Sequence, residues 1–493
     1  MTVRKKIFRN TLVNSSGKLL SFALQIFIVT YLIKTLGSES YGVFVLVLAL
    51  VAGTNLLESG FGLSVTKYVA EYKARGDSES ILKIVNTNML VATAIGAGFA
   101  AVLIVINEFF LQRIFNIPGQ LLNDARMLVR VLVPLVMIEL WCVSLVRVAE
   151  GYQHFALARG MEIVRWLMRA VFSYIAVKAG FGLVGVGAAY LIAGFIALAV
   201  IYFSVIVRNP ELRLSPSMCD RGSFKTIFGF SAWLFLSKLF AFLSYRINVI
   251  VLGIFLPVEA ITFYNVAFKV YEFLHYGLSL VASTLVPVVS ELEAAMDKRR
   301  IAMLFERATR YSVVLLWPVF MLAYIYTGDV IALWMGQGFE SSVTLARLFI
   351  VSIFAVAVVS SGGEMMVGVN RLKELLKFNA AATAVNMSVS IYLVQRIGAP
   401  GVVTGTVAGS YLIAMTYLPV MAKAFNVRVW DVIVNAVIKP MPAVALVGLI
   451  TFWLPSIAGA VAATVVYVAL ALLFLIERED REVALMIIKG QRR

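Results

Sequence analysis

The sequence predicts an all-α fold: a polytopic membrane protein of about fourteen transmembrane helices. Composition is the first ground. Of 493 residues, 61% are hydrophobic and 14% charged, with a mean hydropathy of +0.92, whereas soluble domains carry about 25% charged residues. Length is the second, because apolar stretches of roughly 20 residues, the number a helix needs to cross about 30 Å of hydrocarbon, recur from end to end. The third is continuity: runs such as Val43 to Ala52 lack the alternation of a membrane β-barrel strand.

Span 1 covers 12–34 and follows Arg4, Lys5, Lys6 and Arg9 without an A-x-A-like cleavage site, so it is expected to stay as a helix and not be removed as a signal peptide. LGSESYG at 36–42 leads into span 2 at 42–64, and the amphipathic VTKYVAEYKARGD fills the gap before span 3 at 84–106. The gap 107–126 precedes span 4 at 127–146, and EGYQHF separates that from span 5 at 160–179. The Gly-rich GFGLVGVGAA turns the chain into span 6 at 183–207. After a connector at 208–225, the long apolar stretches 226–255 and 261–289 are spans 7 and 8. Spans 9, 10 and 11 follow at 311–327, 343–367 and 378–396; GAPGVVTGTV opens span 12 at 400–422, and spans 13 and 14 lie at 432–454 and 457–476.

Basic residues are retained on the cytoplasmic side of short loops. With a cytoplasmic N-terminus, most of the 43 Lys and Arg fall in cytoplasmic gaps, Lys298, Arg299, Arg300, Arg307 and Arg310 among them. Only Lys34, Arg113, Arg126, Lys178 and Arg396 fall on the opposite side. Both termini are therefore expected in the cytoplasm, in a cytoplasmic membrane. The net charge of +16 is an orientation signal with anionic membrane lipids as partners; nucleic acid is not predicted. Cys142 lies in a span and Cys219 in a cytoplasmic loop, so no disulfide framework is expected. His154 and His275 are far apart, and no metal site is predicted from them.

An internal repeat appears at a shift of about 217 positions. Arg130 to Gly151 (RVLVPLVMIELWCVSLVRVAEG) mirrors Arg347 to Gly368 (RLFIVSIFAVAVVSSGGEMMVG), and GFGLVGVGAA at 180 recurs as GAPGVVTGTV at 398. Span 4 thus matches span 10. The shift is an even number of spans, so the two copies share one orientation, related by an axis along the membrane normal. Three regions follow: an N-terminal lobe at 1–222 with spans 1 to 6, a C-terminal lobe at 223–426 with spans 7 to 12, and 427–493 with spans 13 and 14 and a cytoplasmic tail.

Two six-helix lobes with two further helices, together with LGSESYG, VTKYVAEYKARGD and EGYQHF, resemble the multidrug/oligosaccharidyl-lipid/polysaccharide exporter superfamily, and within it the flippases for lipid-linked oligosaccharides. The resemblance spans nearly the whole chain. It implies a V-shaped bundle with a central cavity, and a flippase that moves a polyprenyl-pyrophosphate-linked oligosaccharide across the cytoplasmic membrane by alternating access. Polysaccharide assembly proteins are further candidate partners, and no cofactor is implied.

Polar stripes locate the expected cavity. In span 8, Asn265, Lys269, Glu272, Tyr276, Ser279 and Ser283 follow steps of four and three and so share one helical face. Span 1 repeats the pattern with Asn14, Lys18, Ser21 and Gln25; span 7 adds Ser231, Lys238 and Tyr245, with Arg246 nearby. A charge at mid-helix is disfavoured by about 2.5–3.5 kcal/mol on insertion scales, so such groups face a bundle interior or water. Inside spans, Lys18, Arg130, Arg169, Lys238, Arg246, Lys269 and Arg347 outnumber Glu58, Glu139, Glu272 and Glu364. A cationic cavity that takes a pyrophosphate follows. The expected substrate-binding residues are Asn14, Lys18, Gln25, Lys238, Arg246, Asn265, Lys269 and Glu272; Glu58, Glu139 and Glu364 are the candidate ion-coupling carboxylates, with Glu364 at a break beside Gly362 and Gly363. The structural alternative is that Lys269 and Glu272 neutralise each other at i, i+3, while Arg130, Arg246 and Arg347 snorkel from span ends.

A membrane glycosyltransferase or polysaccharide polymerase is the enzymatic alternative. The gaps are too short for a catalytic domain, no external acidic constellation suggests general acid–base work, and no G-x-x-x-x-G-K-[ST] indicates ATP. A non-enzyme is expected. The other alternative, a multidrug/cation antiporter of the same superfamily, commonly carries an acidic cation site in its opening helix, where this chain has Lys18.

Overall fold

The computed structural model describes residues 3–213 and 215–475, excluding the side chains of 3–19, 53–61, 63, 159, 216, 229–235, 237, 238, 241, 244, 245, 281, 283 and 372. Among the described residues every regular element is helical. Among the described residues, nine helical stretches are long and apolar enough to cross a membrane, from Ser78–Ile114 to Ile457–Leu475. Large apolar side chains such as Phe195, Phe203 and Leu333 are left exposed, as lipid in place of water would require. This is a multi-pass membrane protein.

Helices α1 (Val3–Leu36) and α2 (Ser38–Val51) meet at Gly37, whose φ of 84° needs a glycine. α3 (Gly53–Arg75) ends at left-handed Gly76, after which Asp77 caps α4 (Ser78–Val105), its Oδ1 accepting from Ser80 N at 3.0 Å. A π-helical turn (Ile106–Phe110) leads through α5 (Leu111–Ile114) to α6 (Gly119–Gly151), α7 (Phe155–Lys178) and α8 (Gly182–Arg208). Span 7 is broken at Arg246 into α9 (Arg221–Tyr245) and α10 (Ile247–Phe255), and span 8 at Thr284 into α11 (Glu259–Ser283) and α12 (Leu285–Ala294). Then come α13 (Lys298–Ile325), α14 (Thr327–Met335), α15 (Glu340–Gly368), α16 (Leu372–Ile397), α17 (Ala399–Ala424), α18 (Val429–Val432), α19 (Met441–Trp453) and α20 (Ile457–Leu470). α15 runs unbroken through Gly362 and Gly363, so the break expected beside Glu364 is absent. Gly362 instead admits Met421 and Phe305, whose atoms lie 2.5 and 2.7 Å from where a Cβ would stand.

The chain divides into two compact units, residues 1–265 and 266–493. In the first, α6 packs along α3, α4 and α8, α7 lies on α1 and α8, and α9 lies against α3 and α4. Val65, Val69, Ile84, Leu145, Val148 and Ile201 are central to its core. The connector after α8 is fastened to α4: Asn86 Nδ2 donates to the Arg213 carbonyl (2.9 Å), Ser215 N to Asn86 Oδ1 (2.7 Å) and Asp220 N to Thr87 Oγ1 (3.0 Å). In the second unit α17 packs on α15 and α16, and α13 on α15 and α19. Fully buried Phe305, Phe320, Phe349, Met365 and Met421 fill it, and a 2.6 Å hydrogen bond joins Ser312 and Ser361 across α13 and α15.

The repeat is visible in how helices end. α6 and α15 finish on Gly151 and Gly368, where an added Cβ would stand 2.7 Å from Val69 and 3.1 Å from Val289. Each is followed by a left-handed residue, Gln153 (φ 67°) and Asn370 (φ 58°). Gly76 and Met296 likewise turn left-handed ahead of Asp77 and Asp297, which cap α4 and α13 through Ser80 N and Arg300 N. Hydrogen bonds from Ser80, side chain first and backbone second, hold the Asp77 carboxyl below its ordinary range. Its stabilisation is therefore present above the ordinary Asp value and lost as pH falls through the lowered one. Asp77→Ala and Asp297→Ala are each expected to lower the unfolding midpoint by about 1–2 °C. A drop at one and none at the other, read by differential scanning fluorimetry, would break the equivalence.

Candidate functional site

In the first unit, α7 carries Arg165 and Arg169 one turn apart, hence on one stripe. Both reach a single carboxylate on α6: Arg165 Nη1 lies 2.5 Å from Glu139 Oε2, and Arg169 Nη2 bonds Oε1. The three side chains retain only 20, 11 and 13% of their exposure for Arg165, Arg169 and Glu139. Two rings flank the Arg169 guanidinium, Tyr190 at 4.8 Å and Trp166 at 5.3 Å, and Tyr190 meets Phe44 edge-on at 5.4 Å. Gly194 lets α8 approach α6 here, since a Cβ would stand 2.7 Å from Leu135. Desolvating such charges is costly enough that an apolar replacement is often neutral or stabilising; charge kept inside a membrane bundle marks function. Arg165 and Arg169, with Glu162, put three charges inside α7, which is not among the nine apolar stretches of the described residues.

In the second unit, α11 carries Lys269, whose Nζ lies 2.6 Å from Glu272 Oε2. Lys269 is 13% exposed and Glu272 41%. Phe268 and Tyr271, beside Lys269, pack on Phe349 of α15 with centroids 5.7 and 5.2 Å apart, so the rotation of α11 is fixed by aromatic contacts on the flank of its polar stripe. The His275 ring meets that of Tyr271 at a tilt, centroids 5.6 Å apart, and Ser279 donates to the His275 carbonyl.

The other expected residues are dispersed. Asn265 Oδ1 accepts from Tyr41 OH at 2.9 Å, joining the start of α11 to α2 within the first unit. Gln25 is half-buried on α1, Arg246 is exposed at the α9–α10 break and Glu364 is half-buried on α15. The side chains of Asn14, Lys18, Glu58 and Lys238 lie outside the described residues. Arg130 forms a forked ion pair with Glu108 (2.9 and 3.2 Å) where both are more than a third exposed. Arg347 is exposed, donates to the Tyr324 carbonyl at 3.3 Å and lies over its ring. Arg165 was absent from the expected set; its signal was the i, i+4 spacing to Arg169.

EGYQHF forms a latch at one end of the first unit. Lys73 Nζ donates to the Tyr152 carbonyl (3.3 Å) and lies 4.8 Å over its ring, while Tyr152 OH donates to Glu211 Oε1 (3.1 Å). Burial, then the Glu211 charge, holds the Tyr152 hydroxyl well above its ordinary value. A half-open cavity of about 550 Å³ lies between α4, α6, α8 and the connector, lined by Leu90, Trp141, Phe195, Tyr202 and Phe203. It offers no charged side chain to a head group.

A family model described as polysaccharide biosynthesis protein matches residues 7–293, more than half of the chain. The chain belongs to this family. A protein named as a putative O-antigen transporter from Shigella flexneri is 20% identical over 406 residues, 80% of this chain and 93% of that protein. Among solved structures, the lipid II flippase MurJ in an inward closed conformation has a TM-score of 0.74 at 11% identity, covering 94% of this chain and 98% of that one. An inward-facing multidrug resistance MATE family transporter of the MOP superfamily has 0.73 at 16%, covering 84% and 98%. The family member described here therefore has the all-helical MOP-superfamily fold implied by its motifs.

Proposed function

We propose that this chain is a flippase that carries a polyprenyl-pyrophosphate-linked oligosaccharide from the inner to the outer leaflet of the cytoplasmic membrane by alternating access. The observation that carries this reading is the convergence of Arg165 and Arg169 on one buried carboxylate: guanidiniums are forked donors suited to phosphate oxygens, and they stand where a membrane bundle would otherwise be apolar. The family, the O-antigen transporter relative and the MurJ-like fold support a substrate of this kind. A multidrug/cation antiporter needs a carboxylate open to a cation, and Glu139 is covered by two guanidiniums. Rocking of the two lobes proposed from the repeat, 1–222 and 223–426, would expose the site to each side in turn. No bond is made or broken, so the reading is non-enzymatic. The test is reconstitution in vesicles with a fluorescent polyprenyl-diphosphate sugar: protein-dependent loss of dithionite protection supports the reading, and transport of an organic cation in its place overturns it.

Both termini are proposed to be cytoplasmic. Ser456, the N-cap of α20, would then face outward: Ser456→Cys is expected to react with an impermeant maleimide in intact cells or spheroplasts, and Cys219 is not. Burial raises the Cys219 thiol above its ordinary value and slows it on either side, so Lys298→Cys, reactive only after permeabilisation, serves as the cytoplasmic reference. The reverse pattern would invert the topology.

A further inference from the structure

Glu139, expected from the sequence as an ion-coupling carboxylate, is bonded to both arginines of α7. We propose that it is the resident counter-ion of the Arg165–Arg169 pair, occupying the place of a substrate diphosphate and displaced by it. The inference rests on the diphosphate reading above.

Three observations carry it. First, the carboxylate is divided, one oxygen to each guanidinium, so neither arginine is gripped by both oxygens of Glu139. Second, Arg169 Nε is buried and has no hydrogen-bond partner among the described residues, although its Nη2 is bonded to Glu139. A buried donor left without an acceptor is disfavoured. The doubly esterified diphosphate offers two non-bridging oxygens on each phosphate, enough for one phosphate to engage Nε and Nη2 together and satisfy the donor that Glu139 leaves bare. Third, the guanidinium of Arg169 is held by Tyr190 and Trp166 independently of Glu139. It stays aimed when the carboxylate withdraws. A site that exchanges an internal anion for an external one avoids presenting a naked cation pair to the bilayer in the unloaded state, and releases its ligand when Glu139 returns.

The probe is farnesyl diphosphate, titrated calorimetrically into the full-length protein in nanodiscs. Glu139→Gln removes the competing charge and is expected to bind at least about tenfold more tightly than wild type, whereas Arg169→Ala is expected to bind at least about tenfold more weakly. Wild-type binding that Glu139→Gln leaves unchanged or weakens overturns the counter-ion role while the flippase reading stands. Failure of both wild type and Glu139→Gln to bind overturns the diphosphate reading itself. Should Glu139→Gln not fold, Glu139→Asp, too short to span both guanidiniums, takes its place: tightened binding supports the inference and unchanged binding overturns it.

Discussion

Lys269→Glu is expected to lower export of the lipid-linked oligosaccharide by more than about a hundredfold while membrane-inserted protein stays at its wild-type level. Lys269→Ala removes one charge-assisted bond, about 1.5–3 kcal/mol, and is expected to lose about ten- to a hundredfold. The glutamate does worse because it places two carboxylates at i, i+3 where the 2.6 Å pair with Glu272 stood. Lys269→Arg keeps the charge and is expected to retain partial activity. The pair itself supplies the competing explanation, since a lysine that only neutralises Glu272 becomes dispensable once Glu272 is gone. Lys269→Ala with Glu272→Ala decides between them. Accumulation of the oligosaccharide in the inner leaflet, normalised to inserted protein, is the measurement, and full export by the double variant would leave Lys269 as a structural partner.

A second large effect is expected at Gly405, where leucine should eliminate monodisperse protein. Gly401, Gly405 and Gly409 recur every four residues along α17 and form its contact with α16, the small-residue spacing that lets membrane helices approach closely. A Cβ at 405 would stand 2.1 Å from Ser390 Oγ and 2.5 Å from the Asn386 carbonyl oxygen. Ser390 is itself engaged with Asn386 Oδ1 and the Val402 carbonyl, both at 3.0 Å. Backbone cannot step aside as a flexible side chain can, so the overpacking should exceed about 3 kcal/mol. Gly363→Leu is the control: a Cβ there meets nothing within 4 Å, and a normal size-exclusion profile is expected. Two indistinguishable profiles would refute the close-packing account.

The helical class was legible because it is written in long apolar runs, and several helix ends because they are written in turn residues. Gly151 with Gly368, and Asp77 with Asp297, sit at matching places because a helix end is specified by a few neighbouring residues. The breaks at Arg246 and Thr284 were not legible, since the apolar runs that contain them continue unbroken. The site was half legible. Lys269 with Glu272 is an i, i+3 relation within one helix and could be read as such. Glu139 with Arg165 and Arg169 depends on the rotation of α7 against α6, which no short-range pattern states. The partner of Arg130 was not legible for a related reason: Glu108 lies across the α5–α6 turn, beyond the reach of a stripe drawn on one helix.

The connector between α8 and α9 has a mechanical consequence. A free tether would let α9 slide or pivot at its start without disturbing its neighbours. This one is pinned by consecutive residues of α4, Asn86 and Thr87, at three points within eight residues of its length, Arg213, Ser215 and Asp220. It behaves as a lever arm: axial slip of α9 is indexed to α4 and has no slack in which to dissipate. Asn86→Ala with Thr87→Ala would remove all three pins, leaving both helices whole and cutting that indexing alone.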